Sequence, residues 1–70
     1  MDVYEAIGAL RFLEKKFGRT PSVAEIAEQC NTSTSTALNY LDQAVENGFI
    51  VKRDGKFLSH TVANAYGQKE

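Results

Sequence analysis

Apolar residues recur in the first segment at Val3, Ile7, Leu10, Leu13 and Phe17, with Ala6 on the same side, a spacing that lines one face of a helix. Gly18 follows as a stop signal, so a first helix is predicted over about residues 2–17. In "TPSVAEIAEQC", Pro21 precedes Ser22, and Ser22 with Glu25 three positions on is the pair that caps a helix start reciprocally. A short second helix is predicted over about residues 22–30. Val23, Ile26, Ala27 and Cys30 face inward, and Asn31 ends the helix at a position that tolerates a left-handed backbone. Thr32 and Ser33 form a turn. Ser33 then serves as N-cap of a third helix over about residues 34–47, closed by Gly48. Its inner face is read as Ala37, Leu38, Leu41, Ala44 and Val45, with Tyr40 at one border. The outer face is Ser35, Thr36, Asn39, Asp42, Gln43 and Glu46.

Beyond Gly48 the pattern changes to "FIVKRDGKFLS", two extended runs on either side of Asp54-Gly55. Asp-Gly at that place signals a hairpin over about residues 49–59, because a type I′ turn needs positive φ at both central residues. A two-residue turn sets Arg53 opposite Lys56 and Lys52 opposite Phe57, which crowds three bases at the tip. In the remaining segment, residues 60–70, "HTVANAY" fits either a helical turn or a return strand, and "GQKE" reads as a frayed tail. The pattern as a whole describes one mainly helical α+β domain.

The first helix carries a second apolar strip, Tyr4, Gly8 and Phe12, flanked by Arg11 and Lys15. Two explanations stand: the C-terminal segment folds over it through Val62 and Tyr66, or it is a homodimer contact in which Gly8 allows close approach.

Composition narrows the chemistry. Among 70 residues there is one cysteine and one histidine, which excludes a disulfide framework and a zinc site of several Cys and His ligands. Cys30 is read as a core residue and His60 as a surface or edge-packed one. No Gly-rich phosphate loop precedes a helix and no catalytic pair is placed by spacing, so no enzymatic activity, cofactor, metal or small-molecule ligand is expected. The acids and the lack of an apolar run in "MDVYEAIGAL" predict neither a signal peptide nor a membrane span, and a reducing cytoplasm fits. The formal net charge of −1 offers no basic excess to announce a polyanion partner. Its distribution is uneven: residues 20–49 hold four acids and no base, while both flanking segments are mildly basic.

Helix, short helix, tight turn, longer helix and hairpin is the order of a winged helix-turn-helix. "SVAEIAEQCNTSTSTALNYL" is similar to the helix-turn-helix signature, with the small Ala27 where the helices cross, Cys30 where a Leu is usual and Asn31 at the position normally held by a turn Gly. "LDQAVENGFIVKRDGKFL" is similar to the passage that leads into the wing of bacterial repressors. With "TPSVAEIA" ahead of it, the chain resembles over about residues 7–58 the N-terminal DNA-binding domain of the LexA repressor family. The domain that follows in those repressors is not in this sequence, and a small stand-alone regulator is the expectation.

The resemblance implies double-stranded DNA as partner and the third helix as the reading element, although that helix has no Lys or Arg. Reading bases and neutralising phosphates are separable tasks. Asn39 and Gln43 suit bidentate contact with adenine, and Ser35 and Thr36 can bond either base partner, so they are the candidate base-reading residues. Candidate backbone contacts are Ser33 and Thr34 at the helix start, Lys52, Arg53 and Lys56 on the wing, and Arg19. Asp42 and Glu46 oppose this and suggest the alternative, a protein-interaction module such as an anti-repressor or assembly factor.

Overall fold

Each helix begins on a side-chain cap. In the computed structural model, which describes the backbone of residues 1–67 and the side chains of residues 1–65, α1 spans Val3–Phe17 behind Asp2. The Asp2 carboxylate accepts from the Glu5 amide at 2.9 Å while Glu5 accepts from the Asp2 amide. Helix α2, Val23–Gln29, opens on the reciprocal pair Ser22 and Glu25. Helix α3, Thr34–Glu46, opens on Ser33, whose Oγ accepts from the Thr36 amide at 3.2 Å. Such caps satisfy amides that have no partner inside the helix, each contributing about 1 kcal/mol.

The ends of α2 and α3 share one device. At the end of α3, Gly48 takes φ 79°, its amide donates to the Val45 carbonyl, and the Phe49 amide donates to the Ala44 carbonyl. At the end of α2, Asn31 takes φ 56°, its amide donates to Glu28 and that of Thr32 to Ala27. Both are left-handed C-terminal caps in which two orphan carbonyls are satisfied together. Asn31 reproduces what glycine does at the other end, because a short polar side chain tolerates positive φ.

The hairpin pairs β1, Val51–Arg53, with β2, Lys56–Leu58, antiparallel, with Arg53 opposite Lys56, Lys52 opposite Phe57 and Val51 opposite Leu58. Asp54 and Gly55 take φ 52° and 76°, as a type I′ turn requires. Burial along β2 does not alternate: Lys56 is exposed, while Phe57 and Leu58, which point to opposite faces, are both buried, with α4 packed against the strand.

Helices α2 and α3 both pack on α1, and the core joins Ala6, Leu10, Leu13, Ile26, Leu41 and Ala44 to Ile50 and Phe57 from the hairpin. Each of the larger side chains contributes about 1.5–3 kcal/mol by leaving water. The order is three helices and a two-stranded wing, a winged-helix-like topology. It continues into α4, His60–Gly67, so the segment left open between helix and strand is helical. Ser59 explains this: its Oγ accepts from the Val62 amide, and its own amide donates to Glu14 Oε2 at 2.9 Å, tying the start of α4 to α1.

Three side chains lie elsewhere than the apolar pattern predicts. Leu38, assigned to the inner face of α3, is 40% exposed, because the buried face is centred on Ala37, Leu41 and Ala44 and Leu38 falls at its edge. Phe17 is also exposed, with the Arg19 guanidinium 4.6 Å from its ring centroid. Val62 does not cover the Tyr4, Gly8 and Phe12 strip: α4 packs against β2, and Val62 lies beside Arg11, Glu14 and Lys15. Tyr4 is left 68% and Phe12 52% exposed. The expectations for the Tyr66 side chain and for the "GQKE" tail fall outside the described residues. Among the described residues no helix is long and apolar enough to cross a membrane.

Candidate nucleic-acid interface

The exposed face of α3 is built by helix geometry. With Ala37, Leu41 and Ala44 buried, the positions half a turn away, Ser35, Asn39, Gln43 and Glu46, are exposed. Ser35, Asn39 and Gln43 follow one another at i, i+4 and i+8, so three uncharged hydrogen-bonding side chains form a row along the helix. Leu38 and Asp42 run beside that row on the side of the hairpin, where Lys52 Nζ comes within 3.8 Å of Asp42 Oδ1.

Thr36 is set apart from the row. It is half-buried, and its Oγ1 accepts from the Ser33 hydroxyl at 2.9 Å. Ser33 and Thr36 are thereby engaged with each other and with the helix start. Thr34 and Ser35, both exposed, stand at the first turn, where amides have no partner within the helix.

The wing presents its bases unequally. Lys52 is held between Asp42 and the face of Phe57, 5.3 Å from the ring centroid. Arg53 and Lys56 are exposed beside the turn and line a cleft with Thr20, at the loop joining α1 to α2. Arg19 lines the adjoining cleft with Lys56, but its guanidinium grips Glu25 through two bonds of 3.0 and 2.7 Å. That grip, with the Ser22 amide, holds the Glu25 carboxyl well below the usual range, at about 2, and raises Arg19 further. The charge of Arg19 is therefore largely matched inside the protein.

Cys30 sits away from this surface, half-buried at the end of α2, with its thiol 3.9 Å from the Glu5 carbonyl and its pKa raised by burial. His60 is exposed, and its Nε2–H donates to the Gly48 carbonyl at 2.7 Å. Among the described residues no group of three His, Cys, Asp or Glu side chains could hold a metal ion. The pairs Asp42 with Lys52 and Arg19 with Glu25 were not read from the sequence. Capping spacing signalled Glu25, but its second partner six positions upstream depends on how the α1–α2 loop turns.

No family model, curated protein or solved structure matches the chain.

Proposed function

We propose that this domain binds double-stranded DNA sequence-specifically, as a small transcriptional regulator, with α3 in the major groove and the wing on the backbone or the adjoining minor groove. The observation that carries the proposal is the uncharged row Ser35, Asn39 and Gln43 on a helix braced by a basic hairpin. Amide side chains read adenine edges bidentately, and hydroxyls accept or donate, so the row favours A·T-containing sites. Arg53 and Lys56 supply phosphate neutralisation, with the helix start at Thr34 and Ser35 as a further donor. Leu38, exposed on the same helix, adds an apolar group suited to a thymine methyl. The resemblance to the DNA-binding domain of LexA-type repressors supports the same assignment. The proposed regulator is a cytoplasmic protein without a catalytic role.

Asp42 and Glu46 favour a second reading, in which the exposed face of α3 docks a basic protein surface, as an anti-repressor or assembly factor would. The ion pair with Lys52 weakens that case, since it offsets one of the two acids. Selection from random duplex DNA at low and at physiological salt decides between them. Enrichment of an A·T-containing motif, lost more readily at high salt, supports DNA reading. No enrichment at either salt removes it and turns the search to protein partners.

A further inference from the structure

Among the described residues no helix or strand covers the outward face of α1, and its charges are polarised. Asp2 and Glu5 are exposed in its first turns, Arg11, Lys15 and Lys16 in its last ones, and Gly8 lies between them. Two exposed aromatics, Tyr4 and Phe12, stand one turn to either side of Gly8, and Tyr4 continues into Phe49 with ring centroids 5.9 Å apart. An ideal Cβ at Gly8 meets no heavy atom within 4 Å, so nothing among the described residues fills this notch.

From these features we infer that α1 pairs antiparallel with α1 of a second copy, about a twofold axis passing beside Gly8. At about 100° per residue, Tyr4, Arg11 and Lys15 fall on one flank of the line through Gly8, and Glu5, Phe12 and Lys16 on the other. A twofold axis across the helix brings each flank against the same flank of the other copy, reversed end for end. Tyr4 then meets Arg11 and Lys15 of the second copy, a cation over an aromatic face. Glu5 meets Phe12 and Lys16 of the second copy, and within one chain the Lys16 ammonium already lies 5.8 Å from the Phe12 ring centroid. Each acidic end faces a basic end, and the helix dipoles oppose. Parallel pairing would set acid on acid and base on base. Gly8 at the axis lets the two backbones approach, the same role small residues have wherever helices cross closely.

The pairing leaves α3 and the wing of each copy uncovered, since α3 packs on the opposite, buried side of α1. It does not depend on DNA binding and stands or falls separately. One pair of 15-residue helices buries less than a standard interface of about 1,600 Å², so the dimer is weak and concentration-dependent.

Sedimentation velocity of the purified chain over a concentration series at low salt tests the inference. The expected result is a monomer–dimer equilibrium that weakens as salt rises. Gly8→Leu, which has room in the monomer and raises helix propensity, should keep the circular dichroism spectrum and weaken dimerisation at least about tenfold. Glu5→Lys and Lys16→Glu should each weaken it, and an equimolar mixture of the two should recover it, because only the mixed dimer pairs opposite charges at both places. A chain that stays monomeric throughout overturns the inference. So does a dimer unchanged by Gly8→Leu, or a mixture no tighter than either charge variant alone.

Discussion

Lys52 on the wing lies 3.8 Å from Asp42 on α3, joining the hairpin to the helix by their side chains as well as through the core. The ammonium also lies over the face of Phe57, and it offsets an acid that would otherwise repel phosphates. Replacing Asp42 by Ala releases Lys52 and removes that acid. Binding to all duplex sequences should tighten, with a salt slope steeper by about one, as one more cation reaches a phosphate. Fold stability should change by less than about 1 kcal/mol, because the pair is exposed. Fluorescence anisotropy at several salt concentrations reads the first effect and urea unfolding the second.

Asn39→Ala and Lys56→Ala separate reading from neutralisation. The first should cost roughly 1–3 kcal/mol on the preferred site and little on unrelated duplexes. The second should weaken every sequence alike and flatten the salt slope by about one. Competition binding against matched and mismatched duplexes distinguishes them, and equal losses from both variants on every sequence would remove the division of labour.

Glu14 accepts from the buried amide of Ser59 and links α1 to the start of α4. Glu14→Ala leaves that amide without its partner and should cost about 1–3 kcal/mol, whereas Glu14→Gln keeps an acceptor and should cost less. Thermal unfolding of both variants checks the order. For comparison, Leu41→Ala, at a fully buried position, should cost about 2–5 kcal/mol.

Acid sensitivity should trace in part to Glu25. Its carboxyl is lowered from 4.5 to about 2 by the Arg19 guanidinium first and the Ser22 amide second. A depressed acid stabilises the fold fully above its unfolded pKa and loses that contribution as pH falls through the folded value. Thermal midpoints should therefore drop between about pH 4.5 and pH 2. Glu25→Gln should lower the midpoint at neutral pH and flatten the curve in that window. A wild-type curve of the same shape as the variant's would remove the assignment.

Local signals account for what was legible in the sequence. Ser22 with Glu25, Ser33, Asn31 and Asp54-Gly55 each act within a few residues, and each predicts a feature that is present: two caps, a left-handed helix end and a type I′ turn with its register. Where tertiary partners decide, the pattern falls short. Leu38 fits an apolar helical repeat, yet the buried face of α3 is centred on Ala37, Leu41 and Ala44, between α1 and α2, and leaves Leu38 at its edge. The segment after Ser59 becomes helical with the help of a carboxylate 45 positions upstream, a contact no window of sequence contains. At the candidate interface, position on the outer face was legible for Ser35, Asn39 and Gln43. The mutual bond of Ser33 and Thr36 was not, because their spacing alone fits either a cap or a reading pair.

Whether α3 and the wing meet DNA is tested most directly by an NMR titration of ¹⁵N-labelled protein with an A·T-containing duplex at low salt. The account predicts shifts concentrated on the side-chain amides of Asn39 and Gln43 and on the backbone of Thr34, Ser35, Arg53 and Lys56, with the outward face of α1 unperturbed. Shifts confined to α1, or none at any ratio of duplex to protein, would contradict it.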